Sequence, residues 1–290
     1  MGIYLTRFLL FILLCSGYLQ CATAQTVAPP TSVIRFESGP DEWQGSLQTA
    51  INTYRNAARI SVELVAAIHI ADPAYYEELN AHFANRDRVL FELVADADQR
   101  PSRNTTQQEA SGLSLLQRAF AGLLGLGFQL QVIDYSAQNF VHADMNPAEL
   151  QAAMAAKNEN FFSLVMAVAL AQMQSMEADT EIQTTSMVQL MAALSADNRR
   201  DAFKYLLATE LARGDALTID PALETQLTLI GDRNRIALQR LEESLEDTDI
   251  RTISLFFGAA HIAGLERELL GTLGFQLVDQ RWLTAWSIPQ

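Results

Sequence analysis

Ile253-Ser-Leu-Phe-Phe-Gly-Ala-Ala-His-Ile-Ala-Gly264 reads as a buried strand that stops at Gly258 and presents one imidazole, His261, before a helix from Leu265 onward. A run that is apolar except at Ser254, rich in Leu and Phe and closed by glycine, suits a strand covered on both faces. Val62-Glu-Leu-Val-Ala-Ala-Ile-His-Ile-Ala-Asp-Pro73 repeats the pattern. Aligned on the histidines, Ala67 matches Ala259, His69 matches His261, and Ile70-Ala71 matches Ile262-Ala263. Two strand-to-histidine junctions thus lie near opposite ends of the chain, and they are expected to meet in one site.

Working outward from the first junction, Val33–Phe36 reads as a short strand, Asp41–Ala58 as a helix and Arg59–Ile68 as a strand. Asp72-Pro73 supplies an N-cap and a proline at the first helical position for a helix to about Ala84. Arg88–Val94 and Phe128–Tyr135 read as strands, with a polar loop from Ala95 to Glu109 that holds the sequon Asn104-Thr-Thr, and a helix over Gly112–Leu126. From Asn146-Pro-Ala-Glu149, which has the residues of a capping box, to Asp247 no strand is expected. The helices there are Pro147–Met176, Ile182–Leu194, Asn198–Arg213 and Pro221–Glu246, broken near Gly231. Strands at Thr252–Phe257, Phe275–Val278 and Trp282–Ser287 close the chain. The expected fold is mixed α/β: a central mixed sheet with flanking helices, interrupted by a helical insertion of about 100 residues at 147–250. Seven of the eight methionines fall between Met145 and Met191, a filling for a helical core or an adaptable groove.

Met1–Ala24 has the parts of a secretory signal peptide: Arg7, the apolar run Phe8–Leu14, and Ala22-Thr-Ala24 as an A-x-A site. A mature chain of residues 25–290 forms the single expected domain, exported to a periplasm or secreted. Both cysteines, Cys15 and Cys21, lie in the signal segment, so the mature chain has neither a disulfide nor a thiolate. It carries 19 Lys and Arg against 34 Asp and Glu, a net charge of −15, which argues against nucleic acid as a partner. No further apolar run is long enough to span a bilayer after the signal is removed. The motifs G-x-S-x-G, G-x-x-x-x-G-K, H-E-x-x-H and G-x-G-x-x-G are absent.

Ligands of α/β sheets bind at the carboxyl ends of the strands, where both junction histidines are expected. Neutral imidazole with carboxylate, in a chain without thiolates, suits Zn, Mn, Co or Fe. Glu92, in Val89-Leu-Phe-Glu-Leu-Val94, is a metal ligand, a base that activates water, or a strand-end carboxylate in a salt bridge. Glu63 shares strand parity with His69 and makes a weaker version of the same case. Arg233, ahead of Asn234 and Arg235, holds a carboxylate, stabilises a developing oxyanion or belongs to a solvated helix start. His142 is expected on a loop, and His82 on an exposed helix face.

Ala66-Ala-Ile-His69, Phe91-Glu92-Leu93, Arg233-Asn234 and Gly258-Ala-Ala-His261, in this order, resemble the TraB/TIKI/GumN-like superfamily from about Gly45 to Trp286. Its pattern is two G-x-x-H motifs, a glutamate between them and an Arg-Asn pair. The resemblance implies an α/β fold with a helical insertion, related to the erythromycin-esterase and ChaN haem-binding architecture, and a metal-dependent hydrolase of peptide bonds, as in Wnt-cleaving members. Carried over, it makes His69, His261 and Glu92 the metal ligands and Glu92, Arg233 and Asn234 the catalytic residues. It also leaves open a haem- or ligand-binding protein without chemistry, or a member without activity. Ala66 stands where the first motif has glycine, and its methyl is expected to narrow the space for a ligand.

Overall fold

The computed structural model describes residues 31–289 apart from 97, 99, 102–121, 123, 160–187, 190, 214–223 and 226. The expectations for the signal segment, the sequon at Asn104, most of the helix over 112–126 and much of the methionine-rich run fall outside the described residues.

The chain forms the mixed α/β fold expected of it. A seven-stranded sheet contains β1 (Ile34–Ser38), β2 (Gly45–Arg55), β3 (Ser61–Ala67), β5 (Arg88–Phe91), β7 (Phe140–His142), β8 (Thr252–Gly258) and β9 (Gln276–Ile288). A two-stranded ribbon pairs β4 (Ile70–Ala71) with β6 (Gly127–Phe128). The main sheet runs β1-β2-β3-β8-β5-β7, with β9 along the other edge of β2. Strands β3, β8, β5 and β7 are mutually parallel, while β1, β3 and β9 all run antiparallel to β2. The parallel half needs cover on both faces, and β3 and β8 are accordingly buried along almost their whole length.

One face packs Val65, Phe91 and Phe256 beneath α1 (Pro73–Phe83), and the other packs Leu64, Leu90 and Leu255 against α5 (Arg233–Leu245) and α6 (Ala259–Gly271). Between them in sequence lie α2 (Gln129–Val132), α3 (Pro147–Ala156), α4 (Arg199–Ala212) and a π-helical turn at Thr228–Asp232, which is the predicted break near Gly231. Gly231 is required there, because a Cβ would stand 2.6 Å from the Glu224 carbonyl. The capping box of α3 forms as expected, with Asn146 Oδ1 accepting from Glu149 N at 2.8 Å and Glu149 Oε2 from Asn146 N at 2.9 Å. Pro73 opens α1, but Asp72 does not cap it. Its carboxylate instead takes Lys204 Nζ at 3.1 Å and Ser287 N at 2.7 Å, tying α4 to the sheet through a lysine that is fully buried.

Five expectations are corrected. The predicted helix Pro147–Met176 ends at Ala156, just ahead of Asn158 with its positive φ of 54°. The predicted helix over Asp41–Ala58 is strand β2, because its Thr, Ile and Tyr side chains fit a strand paired on both edges by β1, β3 and β9. The predicted strand Phe128–Tyr135 is the single turn α2, held by Gln129 N donating to His69 O at 2.9 Å. The helix after β8 starts at Ala259 rather than Leu265, so His261 stands in its first turn. The two final strands are one, β9, joined through Asp279–Arg281. Among the described residues of 147–250 there is no strand, and no helix is long and apolar enough to cross a membrane.

Candidate functional site

Each of the four parallel strands delivers a polar residue at its carboxyl end. His69 follows β3, His261 follows β8, Glu92 follows β5 and Asp144 follows β7. The nonconsecutive order matters: β8 lies between β3 and β5, so a histidine from residue 261 stands between residues 69 and 92. The register pairs Ala67 with Gly258, which levels the two junctions.

Gly258 is the centre of the arrangement. A Cβ there would stand 3.1 Å from Glu92 Oε2, 3.8 Å from His69 Nε2 and 3.9 Å from the His261 ring. Its amide donates to Glu92 Oε2 at 2.5 Å. The pocket over it holds about 250 Å³ and is lined by His69, Glu92 and His261, with walls of Ile34, Ala67, Ile68, Leu211, Ala259 and Ala260. That is near the small end of ligand sites, enough for a short segment of a substrate. A larger hollow of about 460 Å³ lies against α3 beside Val94, Leu150 and Met154. It is mostly apolar, and the chemistry-bearing side chains lie in the smaller pocket.

The two histidines differ in access. His69 is exposed at the rim, whereas His261 is 3 % exposed at the floor. Both have Nδ1 held by a carboxamide oxygen: Gln129 Oε1 at 3.2 Å for His69 and Asn234 Oδ1 at 2.7 Å for His261. The Asn234 orientation is decided by its Nδ2, which donates to the His261 carbonyl at 3.2 Å. In the neutral ring the proton therefore sits on Nδ1 and the lone pair on Nε2. An outer partner of this kind orients a ligating or basic imidazole.

Arg233 is 8 % exposed and gives Nε and Nη2 to the two oxygens of Asp144 at 2.8 and 2.6 Å. Nη2 also donates to Glu92 Oε1 at 2.7 Å and Nη1 to the Leu229 carbonyl at 3.2 Å. Burial would raise the Glu92 carboxyl, but the neighbouring His261, Arg233 and His69 outweigh it and hold the group well below the usual carboxylate range. The same two carboxylates overcome the effect of burial on Arg233 and push its guanidinium up.

His261 Nε2 and Glu92 Oε1 stand 3.4 Å apart. Two donors bound at about 2.0–2.1 Å to one tetrahedral ion are separated by about 3.4 Å; the pair matches that spacing, and Arg233 already faces both atoms, with Nη2 2.7 Å from Oε1 and Nη1 3.5 Å from Nε2. Among the described residues, no three His, Asp, Glu or Cys side chains are closed into a ligand set, and His69 faces the pair from the rim.

The structure thus gathers His69, Glu92 and His261 as expected, and it redefines their neighbours. Asn234 lies behind His261 and does not line the pocket, so it acts through the imidazole. Arg233 also stands behind the wall, committed to Asp144 and Glu92. Ala66 does not narrow the site: its methyl packs on the opposite face of the sheet with Leu64 and Phe257, and Ala67 lines the pocket. Glu63 is remote from it, because β3 ends before His69; it is bound by His82 Nε2, Arg86 and Ser254. His82, expected to be exposed, has a side chain only 9 % accessible. His142 ends β7, and its Nε2 donates to the Leu93 carbonyl at 2.6 Å, bracing the segment after Glu92. Asp144 and Gln129 were not singled out in the sequence; the one available signal was an aspartate in Phe140-Val-His-Ala-Asp144, at the end of an apolar run. No family model, curated protein or solved structure matches the chain.

Proposed function

We propose that this protein is an exported hydrolase that uses a divalent metal ion and cleaves peptide bonds. The observation that supports this reading is the convergence of His69, Glu92 and His261, from three adjacent parallel strands, on the space above Gly258. His261 Nε2 and Glu92 Oε1 would hold the ion, with His69 as a third donor from the rim. Bound there, it would polarise a carbonyl and make water more acidic.

The chain's own groups supply the rest. Asn234 keeps the His261 Nε2 lone pair free by accepting a hydrogen bond from Nδ1–H. Arg233 and the Gly258 amide keep Glu92 ionised and in place. Gln129 holds His69 Nδ1, which leaves Nε2 to reach the ion from the rim. Helix α6 begins at the pocket wall with no side-chain cap, so the positive end of its dipole faces negative charge developing on the carbonyl oxygen. Ile34, Ile68 and Leu211 shield the reaction from water and suit an uncharged substrate segment.

The test measures metal content and peptide hydrolysis in the full chain purified without chelator, beside a His69→Ala/His261→Ala variant. The expected result is near-stoichiometric Mn, Co, Zn or Fe with cleavage of a mixed fluorogenic peptide set, both lost in the variant. Cleavage that survives both substitutions, or a wild type that takes up no metal from any of the four ions, overturns the reading.

A further inference from the structure

Glu224 is buried, 4 % exposed, just ahead of the π-helical turn, and it has no contact with the pocket. Its Oε1 accepts from Asn234 Nδ2 at 3.2 Å, and its Oε2 accepts from Arg267 Nη2 at 2.6 Å. Arg267 lies on α6, the helix that carries His261. Gly264 leaves the room for this contact, since a Cβ there would overlap the Glu224 carboxylate. A continuous path therefore runs from Arg267 through Glu224 and Asn234 to His261 Nδ1.

We propose that Glu224 is a positioning residue that sets the tautomer of His261 by fixing which end of the Asn234 amide faces the ring. The proposal rests on His261 being the working imidazole of the site. A carboxamide has nearly the same shape when turned over, so packing alone does not choose its orientation. As found, Oδ1 faces Nδ1, and Nδ2 meets two acceptors, Glu224 Oε1 and the His261 carbonyl. Turned over, Oδ1 would face those two oxygens with no proton between them, and Nδ2 would face the ring. The ring would then have to accept at Nδ1 and carry its proton on Nε2, the atom that points at Glu92 and Arg233. An Nε2–H imidazole neither ligates a metal nor accepts a proton through that atom. The carboxylate, paired with Arg267, accepts only and makes the turned-over state costly.

The test reads the tautomer directly. Long-range nitrogen–proton correlation spectra of the chelator-treated full chain, labelled in its four histidines, are recorded on the high-pH plateau where the ring shifts no longer move. Wild type is expected to show His261 as Nδ1–H. In Glu224→Leu the ratio of Nδ1–H to Nε2–H should fall about tenfold, the effect of one charge-assisted hydrogen bond. Arg267 is 30 % exposed through its side chain and can turn to water in that variant. Adding Asn234→Asp should restore Nδ1–H, because a carboxylate offers oxygen from either end and needs no orienting partner. Glu224→Gln, the milder change, should give an intermediate ratio. A wild-type ratio in folded Glu224→Leu overturns the proposal, and if that variant does not fold, a wild-type ratio in Glu224→Gln does so. No substrate or metal enters the measurement, so a protein that hydrolyses nothing yet shows the shift loses the hydrolase reading and keeps this one.

Discussion

Arg233→Met tests the electrostatic frame of the site. The substitution keeps an unbranched side chain in the space and removes the cation from two carboxylates at once. Asp144 has a side chain with no exposure and Glu92 one with 12 %, so water does not replace the lost donors. An exposed ion pair contributes about 0–1 kcal/mol. Here the buried case applies, and leaving charges unpaired costs about 3–5 kcal/mol. Most of that cost belongs to Asp144, which loses both arginine contacts, at 2.8 and 2.6 Å, and keeps the Met145 amide on Oδ1 at 2.8 Å. Urea unfolding read by tryptophan fluorescence gives the number, with Trp286 in β9 buried enough to report the transition. In the double variant Arg233→Met/Asp144→Asn the stranded charge is gone, and stability should recover by about 2 kcal/mol over the single variant. Arg233→Lys should lie between, since one ammonium cannot reproduce the guanidinium fork on Asp144. A loss below about 1 kcal/mol in Arg233→Met, or no recovery in the double variant, would refute the claim that this cation holds the site's carboxylates together.

Two further outcomes follow from the geometry. Burial raises the Glu63 carboxyl, but hydrogen bonds from His82, Arg86 and Ser254 prevail and bring it from an ordinary 4.5 down to about 2. A depressed carboxyl stabilises the fold above its unfolded value, and that stability is lost as pH falls through the folded one. Glu63→Gln should therefore cost about 2–3 kcal/mol at pH 7, with a deficit that shrinks between pH 4.5 and pH 2. A deficit that stays constant across that window in urea titrations contradicts the assignment. Gly258 has φ −53° and ψ 142°, an ordinary conformation for alanine, so Gly258→Ala should move stability by less than about 1 kcal/mol. Its methyl would nonetheless crowd Glu92 Oε2 at 3.1 Å and fill the space before His69, and kcat/KM for peptide cleavage should fall more than about tenfold. Unchanged kcat/KM would move the reaction away from Gly258.

Local chemistry made much of this protein legible in its sequence. The buried runs Val62–Ala67 and Ile253–Phe257 could be strands without reference to the rest of the chain, because parallel strands need apolar cover on both faces. The capping residues of α3, the limits of α4 and the break at Gly231 are set within a few residues and were equally readable. The matched histidines pointed to a shared site because both end such strands, and Glu92 because a carboxylate in an apolar run needs a partner. What the sequence left undecided depends on partners far along the chain. β2 is a strand because three others pair with it, although its local composition also suits a helix. Gln129 and Glu224 have no local mark, and Asp144 only its place after Phe140–Ala143, since a buried polar group is identified by what it bonds and those bonds span 60, 10 and 89 residues. Arg233 and Asn234 were visible as a pair, but their standing behind the pocket wall was decided by where α5 docks on β5 and α6. Tertiary structure alone placed β8 between β3 and β5, and with that the two histidines and the glutamate around one glycine, because strand order is a choice among long-range pairings that no single segment encodes.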